Sequence, residues 1–330
     1  MRALRRLIVW TVVLAVVLFG AVWYLAPREP VGIGTAPAIP DIAALPAWLA
    51  EREGAFNDLR PGAQKRIVWA GVAGERTPLS VVYVHGFSAT SEEIRPVPDD
   101  LAQRLGANLH FTRLHGHGRD MQTGGAALAE ASVADWMSDV REAAAIGAAI
   151  GERTVIVGMS TGGTLVALAA SEGLLPESTA GIALLSPNFG MTRRGAALLD
   201  LPGARWWLPL VAGRERSFQP QNAAHGDWWT ARYPTTALLP LGAAVRAARE
   251  ASFDAASIPA LFLFAPSDRI VDPAVTRSVA ARWGAPAEVV ELQLRAGGAD
   301  PEAHVLAGDI LSPAMTGTVV NILVDWARGL

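Results

Sequence analysis

The segment Thr154-Val-Ile-Val-Gly-Met-Ser-Thr-Gly-Gly-Thr-Leu-Val-Ala-Leu168 admits few local folds. Thr154 to Val157 are β-branched and apolar, the composition of a strand buried on both faces. Gly158 to Gly163 break that run, and helix-forming residues resume near Thr164. A strand, a sharp turn and a helix are therefore predicted, with a serine at the turn. Gly158-Met159-Ser160-Thr161-Gly162 fits the G-x-S-x-G pattern, whose glycines leave room for a strained turn that lifts the serine hydroxyl above the sheet. The helix that follows aims its N-terminal N–H groups and its dipole at the same place, where a developing oxyanion would be stabilised. The bare pattern also occurs as a glycine-rich turn with an idle serine, so the rest of the chain has to supply a base, an acid and a second oxyanion donor.

Candidates for all three exist, in a consistent order. Ser80-Val-Val-Tyr-Val-His85-Gly86-Phe87 reads as a buried strand whose carboxyl end carries a short loop, where ligand groups collect in a doubly wound sheet. The backbone N–H of Phe87 is the candidate second oxyanion donor beside that of Thr161. His85 is read as a residue that holds this loop by hydrogen bonding rather than as a base. Pro259 to Ala265 is another buried strand, and Asp268 follows it where an acid is needed. Asp272 is the reserve, although Pro273 after it marks a helix start, where an Asp caps. Glu288 to Leu294 reads as the last strand, with His304 on the loop before a final helix from Pro313 to Arg328.

Elsewhere, Ile67 to Ala70 and Asn108 to Leu114 are predicted strands, Gly181 to Ser186 another, and Ser91 to Leu105 a helix. Ser132 and Asp135 have capping-box spacing for a helix to Ile150, whose inner face carries Trp136, Val140, Ala143 and Ala144. His115-Gly-His117 with Asp120 has metal-ligand residue types, but no further ligand cluster accompanies it. A glycine-rich loop is the preferred reading, with no metal and no cofactor expected. Residues 187–257 interrupt the pattern with Pro, Trp and Arg and are predicted to form a cap. Met159, Trp206, Trp207, Trp228 and Trp229 are candidate substrate contacts; the tryptophans could equally face a bilayer interface or pack the cap's own core.

At the N-terminus, Arg2, Arg5 and Arg6 precede an uncharged run from Leu7 to Leu25. As a helix it would measure about 28 Å, close to the hydrocarbon thickness of a bilayer. Residues 1–26 are read as a membrane anchor with the catalytic body on the outer side, a cleaved signal peptide being the competitor. Bulky Tyr24 three positions before the best cleavage site argues against cleavage. Residues 27–60 form a Pro/Gly-rich linker and a helical approach segment, with Leu45, Trp48, Leu49 and Phe56 as its packing residues. The main domain is 61–330. Composition narrows the chemistry. A net charge of −3 with 18% charged residues and no basic block gives no nucleic-acid surface, and zero cysteines exclude thiol nucleophiles and zinc–thiolate sites.

The chain order Ser160, Asp268, His304, with His85-Gly86-Phe87 upstream, resembles the α/β-hydrolase superfamily over about four-fifths of the chain. Within it, Ser-Val-Val-Tyr-Val-His-Gly-Phe, Leu-His-Gly-His-Gly-Arg and Gly-Met-Ser-Thr-Gly-Gly are similar to the branch of carboxylesterases, monoacylglycerol lipases, lysophospholipase-like enzymes and serine aminopeptidases. The resemblance implies a doubly wound, mostly parallel sheet with a helical cap insertion. It also implies Ser160 as nucleophile, His304 as base, Asp268 as acid, and the N–H groups of Phe87 and Thr161 as oxyanion hole. The expected activity is hydrolysis of carboxylic esters, small-molecule or lipid, with amide hydrolysis and an inactive membrane-tethered binding protein as alternatives. The N-terminal run and the cap sequence depart from that branch.

Overall fold

The computed structural model describes residues 2–294 and 297–330. Its strands are β1 (Arg66–Val68), β2 (Thr77–Val84), β3 (Asn108–Phe111), β4 (Gly151–Met159), β5 (Thr179–Leu185), β6 (Glu215–Ser217), β7 (Arg232–Pro234), β8 (Ala260–Phe264) and β9 (Ala287–Glu291). Its helices are α1 (Arg2–Leu25), α2 (Leu45–Gly54), α3 (Val97–Leu105), α4 (Gly124–Glu130), α5 (Val133–Ile150), α6 (Thr161–Ser171), α7 (Ala204–Ala212), α8 (Ala223–Trp228), α9 (Leu238–Glu250), α10 (Pro273–Ala280) and α11 (Thr316–Arg328). Seven strands make one sheet in the order β1-β3-β2-β4-β5-β8-β9. Only the β1–β3 pairing is antiparallel, so the remaining six strands point their carboxyl ends the same way.

Alternation along the strands builds the two core layers. Val82, Val84, Ile156, Ile182, Leu184 and Phe262 face α5, α6 and α9. Val81, Tyr83, Val155, Val157, Leu185 and Leu263 face α3 and α11. On α5 the capping box of Ser132 and Asp135 forms, and Trp136, Val140, Ala143 and Ala144 are buried.

Several boundaries differ from the sequence reading for local reasons. The helix expected from Ser91 begins only at Val97, because Pro96 cannot supply an N–H to a helix already under way. Residues 91–96 are turns instead. The strand expected to reach Leu114 stops at Phe111, and Leu114 gives its N–H to the His85 ring. The last strand is short, Ala287–Glu291. Within the expected cap of 187–257, α7, α8 and the β6–β7 hairpin insert between β5 and β8, but α9 packs through Ala243, Ala244 and Ala248 into the same layer as α6.

The Pro/Gly-rich stretch expected to be a linker is bonded to the body as a strap. It has no helix or strand, yet the Gly203 N–H donates to Pro27 O at 2.8 Å, Arg246 to Glu29 O at 2.7 Å, Arg141 to Gly34 O at 2.6 Å, and the Thr35 N–H to Ser138 Oγ at 2.9 Å. Gly34 makes this approach feasible, with φ of +57° and room for no side chain against Ala134 O. Downstream, Leu45 and Leu49 of α2 bury against Ile146 and Ile150 of α5. The α2–α5 seam is closed by buried charge: Lys65 Nζ lies 2.7 Å from Asp139 and 2.5 Å from Glu142, and Arg113 forks onto Glu53.

Removing one partner of such a buried network strands the others, a loss of about 3–5 kcal/mol. Lys65→Met is accordingly expected to lower the midpoint of chemical denaturation markedly, whereas Arg232→Ala at an exposed pair with Glu215 leaves it in place. Equal midpoints for the two variants would show that the buried cluster does not hold the seam.

Candidate active site

Ser160 sits at the turn from β4 into α6 with φ 51° and ψ −118°, a left-handed conformation that a serine adopts only under constraint. The glycines around it are required by close approach. A Cβ at Gly162 would stand 2.3 Å from Val84 O, and one at Gly158 would stand 2.7 Å from the Gly163 Cα. The Ser160 N–H is tied to Leu185 O at 2.8 Å. The elbow is thereby wedged against the ends of β2 and β5, with the hydroxyl at the carboxyl edge of the sheet.

Two loops from the same edge meet it. Asp268, after β8, receives the N–H groups of Ile270 and Val271 on Oδ1 at 2.8 and 2.9 Å. Its Oδ2 lies 2.8 Å from His304 Nδ1, and His304 Nε2 lies 2.9 Å from Ser160 Oγ. A carboxylate only accepts, so Nδ1 carries the proton and Nε2 is left to accept from the hydroxyl. Residues 144 and 36 positions apart are thus brought into one relay. Burial opposes a charge on His304, but the hydrogen bond and charge of Asp268, with Glu93 and Asp300 adding to it, outweigh burial and raise its pKa above the ordinary histidine value. Asp272, the reserve acid, instead caps α10 by accepting the Ala274 N–H.

The loop after β2 supplies the facing donors. Neither the Phe87 N–H nor the Thr161 N–H has a hydrogen-bond partner among the described residues. His85 accepts the Leu114 N–H on Nε2 at 3.1 Å, so its Nδ1–H donates to Gly86 O at 2.8 Å. That carbonyl belongs to the same planar peptide unit as the Phe87 N–H, which must point the opposite way. His85 therefore orients the Phe87 donor. Burial, foremost, holds His85 neutral, down to about 4, and the same cause keeps its neighbour His117, 5.0 Å away between ring centres, uncharged.

The other candidate contacts are dispersed. Met159 is fully buried beside Val157 and Leu185. Trp206 is 62% exposed on α7. Trp207 packs in the cap's small cluster, its indole N–H on Pro202 O. Trp228 lies over Gly62, and Trp229 is buried against His225. Ser160 is 7% and His304 9% exposed, and neither lines the cavities of about 290 Å³ beside Arg113 and about 160 Å³ beside Trp206. The reading of the sequence missed Asp300, which accepts the N–H groups of Glu302, His304 and Val305 and the Gln221 amide. An Asp before Pro301 is a turn-former, and that signal was available.

A mostly parallel sheet with a serine elbow and a Ser-His-Asp relay at its carboxyl edge defines the α/β-hydrolase class. Residues 76–299 match the family described as serine aminopeptidase, S33, and the chain belongs to that family. The match includes Ser160 and Asp268 and ends before His304. A thermostable monoacylglycerol lipase from Bacillus sp. (strain H-257) is 26% identical over 204 residues, 60% of this chain and 74% of the relative. Among solved structures, a metagenome-derived lipolytic enzyme aligns with a TM-score of 0.65 at 21% identity, over 82% of this chain and 100% of that one. A soluble variant of the monoglyceride lipase of Saccharomyces cerevisiae, solved with a substrate analogue, aligns at 0.58 and 12% identity, over 91% and 98%. The chain is a lipase/esterase-like serine hydrolase by these similarities.

The electrostatics of His304 give a direct expectation. In ¹⁵N-histidine-labelled protein its imidazole should titrate above 6.5, and Asp268→Asn should move that midpoint down. An unchanged midpoint in the variant would mean that Asp268 does not hold the charged imidazole.

Proposed function

We propose that this chain hydrolyses carboxylic esters of apolar, lipid-like acyl groups at a membrane surface. The relay from Ser160 Oγ through His304 to Asp268 carries the proposal. As Oγ attacks the acyl carbon, its proton passes to His304 Nε2, and the Asp268 carboxylate holds the imidazole in register and offsets its positive charge. The carbonyl oxygen, now an oxyanion, takes the N–H groups of Phe87 and Thr161, each worth about 3 kcal/mol at the transition state. His304 returns the proton to the leaving alcohol as its C–O bond breaks. Water then attacks the acyl-enzyme by the same route and releases the acid.

The lipid part of the proposal rests on two supports. One is the sequence similarity to a monoacylglycerol lipase. The other is a surface. On α7, Trp206, Leu210 and Val211 are exposed together, flanked by exposed Arg193, Arg194, Arg214 and Arg216, which have no ion-pair partner among the described residues. The strap fastens Pro27 to Gly203 and Glu29 to Arg205 beside them, so α1 leaves the body next to this patch. With a mean hydropathy of 2.4 over its most apolar window, α1 is long and apolar enough to span a bilayer, and a signal sequence has the same properties. We read it as a retained single-pass anchor for residues 1–26, with the strap and body, 27–330, on the outer side. Amide hydrolysis is the second reading, favoured by the description of the family as serine aminopeptidases.

Ser160→Ala should lower hydrolysis of p-nitrophenyl butyrate by about 10⁴-fold or more. Rates equal to wild type would end the proposal, and faster turnover of aminoacyl amides than of esters would favour the second reading. Replacing Trp206 and Leu210 together by Ser should impair turnover of monoacylglycerol presented in anionic vesicles several-fold and leave the soluble ester unaffected. Equal loss on both substrates would remove the lipid surface from the account.

A further inference from the structure

Glu93 carries a function that its position in a run of turns does not announce. Its neighbour Glu92 faces outward and pairs with Arg66 and Arg95, and Arg95 pairs in turn with Asp99. Glu93 turns inward, is 3% exposed, and has no ion-pair partner among the described residues. A single oxygen, Oε2, accepts the Gly86 N–H at 2.7 Å and the Tyr83 hydroxyl at 2.9 Å. A Cβ added at Gly86 would stand 2.7 Å from Glu93 Oε1 and 3.1 Å from Ser160 Cβ, so the carboxyl group and the serine both border the space that a side chain there would take. An acid this buried without a cation beside it is costly to ionise, and burial, foremost, pushes it up to about 7.

A brace alone would be served as well by a neutral amide, whose oxygen accepts the same two hydrogen bonds. The acid therefore needs a second reason. The charged or titratable groups that face it are Tyr83 from β2 and His304 from the loop after β9, and its negative charge favours the protonated form of His304. We propose that Glu93 is a positioning residue with two separable actions: it braces the Gly86–Phe87 turn so that the Phe87 N–H faces Ser160, and it adds a further negative charge to the His304 site beside those of Asp268 and Asp300.

The brace completes a clamp. Glu93 fixes the N–H of Gly86 and His85 fixes its C=O, so both peptide units flanking the glycine are held, and the Phe87 N–H leaves that clamp in one direction. The charge acts differently with pH. Neutral Glu93 leaves His304 to Asp268 and Asp300; ionised Glu93 makes the imidazole hold its proton to higher pH and sets a negative charge behind the oxyanion site. The two titrations interact and are read as macroscopic values of the pair.

The inference rests on Ser160 being the nucleophile, and its test includes one readout that does not. Glu93→Gln keeps the acceptor and removes the charge. It should retain kcat for p-nitrophenyl butyrate at pH 8–9 within about threefold, because both hydrogen bonds persist. It should also shift the acid limb of kcat/KM, and the ¹⁵N titration of His304, to lower pH. Glu93→Ala removes the brace as well, and kcat should fall about 10- to 100-fold with KM little changed, part of what loss of an oxyanion donor costs. If the His304 titration of Glu93→Gln coincides with that of wild type, the charge action is wrong. If folded Glu93→Ala keeps wild-type kcat, the brace is wrong. Should the alanine variant not fold, a kcat for Glu93→Gln that drops as far as expected for the alanine would equally overturn the brace. An inactive wild type would count against ester hydrolysis, while the NMR titration would still decide the charge.

Discussion

The N-terminus of α6 is driven into the end of β2 until Gly162 has no room for a single carbon beside Val84 O. Much else follows from that contact. It forces Ser160 into a left-handed backbone that costs about 1–3 kcal/mol, a strain that persists only where the surroundings over-determine it. They do so here through Gly158 on Gly163, the Ser160 N–H on Leu185 O and the Thr164 N–H on Ser160 O. In return the hydroxyl is held out from the sheet edge rather than folded onto its own helix, and the Thr161 N–H is kept free of an internal acceptor. A longer, relaxed turn would satisfy those groups locally and leave nothing aimed at a substrate.

Around that wedge the site is organised by carboxylates, each bound differently. Asp268 spends one oxygen on two loop N–H groups and the other on the imidazole, so its rotamer is set before His304 arrives. Asp300 never meets the imidazole, yet it collects three N–H groups from residues 302–305 and so shapes the loop on which His304 stands. Glu93 is the buried one without a partner charge. A single histidine thus lies within the influence of three acids, which is why its raised basicity survives burial. Burial likewise leaves His85 neutral and fit only for hydrogen bonding, because the pull of Asp139 is opposed by Arg113 and Lys65.

What could be read from residues alone tracks how local the cause is. The strand-turn-helix around Ser160, the capping box at Ser132 and the cap role of Asp272 rest on neighbours in the chain, and each forms where the pattern placed it. The order of Ser160, Asp268 and His304 was legible because a parallel sheet sends all its carboxyl ends to one edge. Glu93 was hidden for a physical reason. Helical spacing over Ser91–Leu105 would have left it at the margin of the apolar face, one turn before Val97, whereas Pro96 delays the helix and lets the preceding turns fold the acid inward. The tryptophans were equally opaque. Trp206 and Trp207 are adjacent in sequence but one is exposed and the other packs in the cap, a distinction set by the orientation of α7 and by nothing in the two residues themselves.

The strap shows how composition can mislead about mechanics. Proline and glycine between residues 27 and 40 do exclude helix and strand, but they do not exclude attachment, because backbone groups left unpaired by an irregular chain are available to bond elsewhere. Here they bond to α5 through Thr35 and Gly34 and to the cap through Pro27 and Glu29. The strap therefore belongs mechanically to the body, whatever becomes of the helix before it. A span joined to a free linker would let the catalytic edge tumble at some distance from the bilayer. A retained span followed by a strap bonded at Pro27, two residues beyond the end of α1 at Leu25, would have almost no slack, and where the strap is bonded would then decide which face of the body lies nearest the lipid. That place is the start of α7, the helix whose outer side is apolar.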